Sequence, residues 1–183
     1  MTNEKPNHSF DINKILSKLS LEEGQQVADL GCGNFGFFVF PLARLVGMKG
    51  RVYAVDILKP VLDQISKEAK VKNLPQITTI WSNLEIFKET NIKSASLDVA
   101  LMVNVLNQSD KRIDFLREAV RLLKRGGKLL IVDWQIGDTP LGPPTARRVN
   151  PENLKMAALK MGLVLQEEFD AGNYHYGLIL MKM

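Results

Sequence analysis

One short segment constrains the fold of this chain more than any other. Residues 27–30 (VADL) form an apolar run that leads directly into GCGNFG at residues 31–36, and an apolar stretch over residues 37–46 follows. An apolar run that ends in glycines indicates a buried strand, and the stretch after it predicts a helix. Glycines allow both a tight turn and the close approach of a ligand. The segment therefore predicts a strand, a turn and a helix, with a ligand site at the turn.

Strand and helix patterns alternate along most of the remaining chain. Further strands are predicted over residues 51–56, 77–81, 97–103 and 128–134, and further helices over residues 11–19, 60–72 and 110–124. The run over residues 97–103 (LDVALMV) is almost continuously apolar, which is typical of a parallel strand buried on both faces. This alternation predicts a mainly parallel sheet with helices on both of its faces.

The last third of the chain follows a different pattern. Residues 135–151 contain two glycines and four prolines, which exclude a long regular element and are typical of a functional lid. A short helix is predicted over residues 151–161, and strands over residues 163–169 and 176–181. Residues 170–173 (DAGN) are so short a connection that they indicate an antiparallel hairpin. We expect one α/β domain over residues 1–183, with residues 1–9 as a flexible tail and a seven-stranded, mostly parallel sheet ending in that hairpin.

Charge and cysteine content narrow the range of functions. The 24 Lys and Arg residues against 20 Asp and Glu residues give a net charge of +4 without a dense basic stripe, so a nucleic-acid partner is not expected. The single cysteine, Cys32, excludes an internal disulfide and a cysteine-based zinc site, and no metal is predicted. No apolar run approaches the roughly 20 residues of a membrane span, and no signal-peptide pattern is present. We expect a cytoplasmic protein that is a monomer or a weak homodimer.

The topology itself predicts where a ligand binds. In open parallel sheets, ligands bind beyond the carboxyl ends of the strands, at the point where the strand order reverses. The second strand ends at Asp56, which follows Gly33 by 56 − 33 = 23 residues. A carboxylate at that point can accept hydrogen bonds from both hydroxyls of a ribose. The alternative role for Asp56 is the N-cap of the helix that begins at Pro60.

The glycine pattern alone does not identify the nucleotide. Read as G-x-G-x-x-G, it also matches the fingerprint of dinucleotide-binding proteins, so an NAD-binding oxidoreductase is one alternative. Two features argue against it. Asp29 precedes Gly31 by two residues, where a carboxylate would repel a pyrophosphate but would suit a cationic amino-acid group. The 183 residues also leave no length for a separate substrate domain.

Four spaced motifs resemble those of the class I S-adenosylmethionine-dependent methyltransferases, and the resemblance covers about residues 10–183. They are VADLGCG at 27–33, VYAVD at 52–56, SASLDVA at 94–100 and LLKRGGKL at 122–129. Within that family the chain is similar to the small methyltransferase-domain proteins related to the ubiquinone/menaquinone-biosynthesis methyltransferases. The resemblance implies a Rossmann-like fold, S-adenosyl-L-methionine as cofactor, S-adenosyl-L-homocysteine as product, and methyl transfer to a small-molecule or macromolecular acceptor.

The resemblance also implies roles for individual residues. The glycine turn and Asp29 would hold the methionine part of the cofactor, the residues after the second and third strands would hold its ribose and adenine, and Asn104 would lie near the sulfonium. The implied cofactor-binding residues are Asp29, Gly31, Cys32, Gly33, Asn34, Gly36, Asp56, Ile57, Asn83, Leu84 and Asn104.

Two positions depart from the family pattern. Phe35 stands where the family usually has glycine, with Gly36 one residue later as if one residue were inserted, and Asn83 stands where the family usually has Asp. An asparagine can still accept a hydrogen bond from the adenine amine through its carbonyl oxygen. These departures keep open a second alternative, a non-catalytic methyltransferase-like binding protein.

No universal catalytic residue is expected, because methyl transfer depends mainly on the positioning of the nucleophile. A general base helps only when the nucleophile carries a proton to lose. The turn after the sixth strand is expected at the cofactor edge of the sheet, so we predict His175 as the general base or substrate contact, the alternative being an exposed turn histidine. Further substrate candidates are Asn107, Gln108, Asp133, Trp134, Gln135, Arg147, Arg148, Tyr174 and Tyr176.

Overall fold

The computed structural model describes residues 11–137 and 139–183, so the tail predicted for residues 1–9 lies outside the described residues. The strands are β1 (Gln26–Leu30), β2 (Arg51–Asp56), β3 (Ile77–Trp81), β4 (Leu97–Val103), β5 (Leu123–Trp134), β6 (Leu163–Gly172) and β7 (His175–Lys182). The α-helices are α1 (Ile12–Ser17), α2 (Val39–Val46), α3 (Lys59–Val71), α4 (Arg112–Leu122) and α5 (Pro151–Lys160). Single 3-10 turns lie at Asn34–Gly36, Leu106–Gln108 and Thr145–Arg147.

All seven strands belong to one sheet, in the order β3-β2-β1-β4-β5-β7-β6. Strands β1 to β5 pair in parallel, whereas β7 runs antiparallel to both β5 and β6. The seven-stranded, mostly parallel sheet with a reversed C-terminal hairpin is therefore confirmed. Because β1 lies between β2 and β4, the chain changes direction across the sheet at β1, and a crevice is expected beyond the carboxyl ends of β1 and β4.

Each face of the sheet carries its own apolar core. Side chains alternate along a strand, so Ala28 of β1 packs with Leu116 of α4 on one face. On the other face Val27 packs with Leu42 of α2 and Ile65 of α3. Helices α4 and α5 thus cover one face and α1, α2 and α3 the other, as the alternation of elements predicts. No helix within the described ranges is long and apolar enough to span a bilayer.

The prediction for residues 110–134 is wrong in its boundaries. The helix predicted over residues 110–124 begins later and ends earlier, and the strand predicted from residue 128 begins at Leu123. Leu123 pairs with Leu97 of β4, and the register shifts between Leu97 and Val99. Gly127 comes so close to β4 that a Cβ atom would lie 2.9 Å from the carbonyl oxygen of Leu97. Gly126 and Gly127 therefore lie within β5, in an irregular part of the strand.

Candidate functional site

A cavity of about 500 Å³ opens beyond the carboxyl ends of β1 to β4, at the expected crevice. This volume lies within the range of about 300–1,000 Å³ that is typical of small-molecule sites. Its walls come from the glycine turn and from the loops after β2, β3 and β4. The lining residues are Gly31, Gly33, Asn34, Asp56, Ile57, Leu58, Val61, Ser82, Asn83, Leu84, Glu85, Val105, Gln108, Ser109 and Phe115.

The first two glycines of the turn have different physical roles. Gly31 has φ +82°, and a Cβ atom there would lie 2.5 Å from a methyl carbon of Val105, so glycine lets the segment after β4 pack onto the turn. Gly33 has φ +60°, and a Cβ atom there would meet nothing within 4 Å. The backbone at Gly33 thus stands open beside the cavity, where a ligand can approach it closely.

Phe35 adopts the left-handed backbone conformation that favours glycine, with φ +72°. The turn therefore keeps a left-handed residue at the family's glycine position, although the side chain is large. That side chain is 56% exposed, and its ring centroid lies 5.4 Å from that of Phe37. Gly36 lies outside the cavity lining: it is buried, and a Cβ atom there would press on Phe40 and Ile65.

Asp56 connects the end of β2 to the glycine turn. One carboxylate oxygen accepts a hydrogen bond from the Gly33 N–H at 2.9 Å, and the other accepts one from the Leu58 N–H at 2.9 Å. The N-cap of α3 is Leu58, so the alternative that Asp56 itself caps this helix is wrong. Each carboxylate oxygen carries a second lone pair. Asp56 can therefore hold the turn in shape and still accept hydrogen bonds from a ligand in the cavity.

Asp29 is a buried carboxyl group, 2% exposed, directly below the glycine turn. Burial, and second the negative charge of Asp56, raise its pKa to about 7. No Lys, Arg or His in the described part of the chain forms an ion pair with it. A buried carboxylate is costly unless a cation pairs with it. Asp29 is thus suited to a ligand that brings a positive charge to the turn.

Cys32 packs into the core behind the turn and does not line the cavity. Burial first, and then the charges of Asp29 and Asp56, raise the pKa of its thiol. The group therefore stays protonated at neutral pH, and a protonated thiol is neither a good nucleophile nor a metal ligand.

The loops after β2 and β3 form the other end of the cavity. The Asn83 side-chain oxygen accepts a hydrogen bond from the Glu85 N–H at 3.0 Å, which fixes the tight turn after β3. Leu84 is buried, whereas Ile57 is 50% exposed. The Trp81 indole N–H donates to the Ile57 carbonyl oxygen at 2.8 Å and joins the two loops. Apolar side chains and a polar turn at this end suit a flat, partly polar ring.

Several lining residues were not predicted from the sequence. The Ser109 hydroxyl donates to Glu85 at 2.6 Å across the cavity, and this hydrogen bond is the main cause that lowers the pKa of Glu85. Val105 and Phe115 add apolar walls. Glu85, Val105 and Ser109 follow β3 or β4 within a few residues, so their position at the carboxyl edge is a signal that sequence reasoning can use. Phe115 lies inside α4, and only packing brings it to the cavity.

His175 lies at the start of β7, opposite Trp134 of β5, and is fully buried, so the alternative of an exposed turn histidine is wrong. Its Nδ1 lies 2.9 Å from the Asn173 carbonyl oxygen, and its Nε2 lies 3.2 Å from the side-chain amide nitrogen of Asn104. The imidazole centroid lies 4.1 Å from that of Trp134. Burial lowers the pKa of His175, and the positive charge of Arg148 lowers it further.

Three further substrate candidates differ in whether they line the cavity. Asn107 donates to Asp133 at 3.1 Å, and this buried pair ties the 3-10 turn after β4 to β5. Gln108 lines the cavity and donates to the Asn104 carbonyl oxygen at 2.8 Å. Tyr176 is buried and donates to the Val149 carbonyl oxygen at 2.9 Å. Of these, Gln108 alone lines the cavity.

The loop after β5 is organised by one arginine. Arg148 is 6% exposed and donates to the carbonyl oxygens of residues 135, 137, 141 and 143 and to the Thr139 hydroxyl, at 2.6–3.2 Å. Its guanidinium carbon lies 5.9 Å from the Trp134 ring. Gly142 contacts the same ring, and a Cβ atom there would lie 2.5 Å away. Arg147, by contrast, is exposed and lies 3.5 Å from Asp110.

Comparisons with known proteins agree with this geometry. A family profile described as "Methyltransferase domain" matches residues 21–171. Arsenite methyltransferase of Rattus norvegicus is 28% identical over 117 residues, which cover 61% of this chain and 31% of that enzyme. The S-adenosyl-L-methionine-dependent Diels-Alderase of Talaromyces variabilis is 28% identical over 164 residues, which cover 88% of this chain and 53% of that protein. The chain thus spans about a third to a half of the length of these relatives.

One solved structure shares almost the whole fold. A SAM-dependent methyltransferase from Aquifex aeolicus superposes with a TM-score of 0.87 and 24% sequence identity, covering 98% of this chain and 95% of that one. At this identity the likeness establishes the Rossmann-like architecture of the sheet and helices, and the chemistry has to be argued from the residues of this chain.

Proposed function

This chain belongs to the methyltransferase domain family, and from that membership we propose that it is an S-adenosyl-L-methionine-dependent methyltransferase. The observation that carries the proposal is the cavity at the carboxyl edge of the sheet, where Asp56 and the open backbone of Gly33 meet. S-adenosyl-L-methionine combines an adenosine, which carries two ribose hydroxyls, with a cationic amino-acid part. The hydrogen-bond acceptors at this edge match the ribose hydroxyls, and the negative charge there matches the cationic amino-acid part.

The residues around the cavity fit this cofactor part by part. Asp56 would accept from the ribose hydroxyls. Asn83, Leu84 and Ile57 would enclose the adenine. The turn from Gly31 to Asn34, with the charge of Asp29 below it, would hold the amino-acid part.

A nicotinamide dinucleotide fits the same residues less well. A pyrophosphate carries negative charge, and Asp29 and Asp56 both place carboxyl groups at the glycine turn. Burial, and second the negative charge of Asp56, already raise the pKa of Asp29, so an added anion at the turn would be repelled further. The sulfonium and ammonium groups of S-adenosyl-L-methionine are cationic, so the two carboxyl groups would attract them instead.

When bound, the cofactor would supply a methyl group on a sulfonium: a nucleophilic atom of the acceptor would bond to the methyl carbon while the carbon–sulfur bond breaks, and S-adenosyl-L-homocysteine would be the leaving group. The residues of the chain would contribute mainly by orientation and by exclusion of water. The loop held by Arg148 and Trp134 lies beyond β5, next to His175 and Asn104, and would form the acceptor side of the site.

We propose a small molecule as the acceptor, but not arsenite. Arsenic(III) is thiophilic and is held by thiolates, whereas this sequence has one cysteine, Cys32. That thiol is buried, and its raised pKa keeps it protonated. The cytoplasmic location and the monomer or weak homodimer expected from the sequence stay predictions.

Calorimetric titration of the protein with S-adenosyl-L-methionine, S-adenosyl-L-homocysteine and NAD tests the cofactor. Binding of both S-adenosyl compounds without binding of NAD supports the proposal, and NAD binding alone contradicts it.

Incubation with methyl-labelled S-adenosyl-L-methionine and a fractionated small-molecule extract then tests methyl transfer. Label appearing in an extract compound, together with S-adenosyl-L-homocysteine, is the expected result. Cofactor binding with no transfer to any fraction would favour a binding protein or a chemistry without methyl transfer, which the Diels-Alderase relative makes a real second candidate.

A further inference from the structure

Two hydrogen bonds and a lowered pKa determine the protonation state of His175. The Asn173 carbonyl oxygen, 2.9 Å from Nδ1, can only accept a hydrogen bond, so Nδ1 carries the proton. Burial and the nearby charge of Arg148 lower the pKa of His175, so the ring is neutral at pH 7 and Nε2 is an acceptor. Nε2 then accepts from the Asn104 amide nitrogen at 3.2 Å.

This arrangement fixes the orientation of the Asn104 side chain. Because its amide nitrogen donates to His175, its oxygen Oδ1 must lie on the other side of the amide group. Oδ1 is buried and has no hydrogen-bond partner among the described residues. A buried carbonyl oxygen without a donor costs free energy unless a ligand or water provides one.

Asn104 lies next to the glycine turn. It directly follows β4 and precedes Val105, the residue that packs on Gly31. Its backbone has φ +52°, a left-handed conformation that asparagine tolerates better than most residues. The unpartnered oxygen and the buried carboxyl group of Asp29 thus belong to two adjoining strand ends.

We propose that His175 is a positioning residue, which holds the Asn104 amide so that its oxygen accepts a hydrogen bond from the ammonium group of the bound cofactor. This inference rests on the proposed function. His175 acts through Asn104 and need not touch the cofactor or the acceptor. Its contacts favour this role over that of a general base, because Nε2, the nitrogen that would take a proton, already faces an amide N–H.

Two ligands separate this role from a general effect on the fold. S-adenosyl-L-homocysteine carries the ammonium group, whereas 5′-methylthioadenosine keeps the adenosine and sulfur but has no amino-acid part. We expect His175→Leu to weaken S-adenosyl-L-homocysteine binding at least tenfold and to change 5′-methylthioadenosine binding less than twofold. His175→Gln can still accept from the Asn104 amide, and we expect it to keep S-adenosyl-L-homocysteine affinity within threefold of the unchanged protein.

A second variant checks that the effect passes through Asn104. Asn104→Gly removes the amide, and glycine accepts the left-handed backbone without strain. We expect this variant to lose S-adenosyl-L-homocysteine affinity as His175→Leu does. In the Asn104→Gly background, His175→Leu should then have no further effect on that affinity.

The outcomes are distinct. Equal weakening of both ligands by His175→Leu, weakening of neither, or additive losses in the double variant would overturn the positioning role. If the unchanged protein binds neither S-adenosyl-L-homocysteine nor 5′-methylthioadenosine, that result contradicts the proposed function. It is thereby distinct from the outcomes that contradict the coupling of His175 to Asn104. Binding of 5′-methylthioadenosine by His175→Leu also shows that this variant is folded.

Discussion

At the scale of single residues, Asp29 shows how a binding site is maintained at the expense of stability. Its buried carboxyl group has a pKa near 7 in the folded protein, against 3.8 when solvated. Between these two pH values the unfolded chain releases a proton that the folded protein keeps, so the free energy of unfolding falls as the pH rises. Above about pH 7 the loss is complete and constant. The ionised Asp29 thus lowers the stability of the ligand-free protein, and a bound cation would offset that loss.

We predict that Asp29→Asn stabilises the ligand-free protein in a pH-dependent way. The gain should be small near pH 4, grow as the pH rises to 7, and reach about 4 kcal/mol above that, because burial and the charge of Asp56 raise the pKa from 3.8 to about 7 and each pH unit corresponds to about 1.4 kcal/mol. Urea unfolding at pH 4.5 and pH 8 measures it, with the exposed Asp63→Asn as control. The same change in unfolding free energy at both pH values would show that the Asp29 carboxyl group does not titrate as described.

Phe35 lets the backbone conformation of the turn be tested separately from its side chain. A left-handed conformation costs a residue with a Cβ atom about 1–2 kcal/mol, but costs glycine little. We predict that Phe35→Gly is more stable than Phe35→Ala by about 1 kcal/mol, the reverse of their usual order in regular structure. Both variants lose the contact with Phe37, so their difference reports the backbone alone. Equal stability, or a more stable alanine variant, in chemical denaturation would contradict the left-handed conformation.

At the scale of elements, the loop after β5 shows what a sequence pattern can and cannot indicate. Its glycines and prolines predicted an irregular segment, and residues 135–150 indeed contain no α-helix or strand among those the structure describes. That Arg148 holds it together could not be predicted, because its partners are backbone carbonyl oxygens whose directions depend on the folded path. The neighbouring arginines look alike in the sequence, yet only Arg148 is buried.

This pair of arginines provides a matched test. We predict that Arg148→Met destabilises the protein by about 2 kcal/mol or more, because several buried carbonyl oxygens lose a charged donor. Amide hydrogen exchange in residues 135–147 should become at least tenfold faster. Arg147→Met should change stability by less than about 0.5 kcal/mol, since Arg147 has an exposed ion pair. Equal effects of the two substitutions would show that Arg148 does not organise the loop.

The element boundaries show a second limit of sequence reasoning. The hairpin of β6 and β7 could be predicted from local pattern alone, because residues 170–173 are too short for any other connection. The predicted four-residue connection is wrong in its bounds, since β6 continues to Gly172 and only residues 173 and 174 join the two strands. The early start of β5 could not, because it depends on the pairing of Leu123 with Leu97, more than twenty residues away. The same contrast holds in the site. Asp56 could be placed there from its local position at the end of β2, whereas the contact of Asn104 with His175 depends on the order of the strands.

At the scale of the whole molecule, the sheet order brings the ends of β1, β2, β3 and β4 to one edge, and each end contributes to a single cavity. Asp56 lies at the centre of this arrangement, because it contacts the glycine turn through Gly33 and the start of α3 through Leu58. The parallel, doubly covered sheet was predictable because strand and helix patterns alternate. The shape of the cavity was not, since it depends on side chains such as Phe115 from a distant helix.

The central claim is that this edge binds the S-adenosyl cofactor through Asp56, and calorimetric titration with S-adenosyl-L-homocysteine tests it most directly. The unchanged protein and the exposed control Asp63→Ala should bind with the same affinity. Asp56→Ala should bind at least tenfold more weakly, which corresponds to about 1.4 kcal/mol, while its melting curve confirms that it is folded. A folded Asp56→Ala variant with unchanged affinity would contradict the claim.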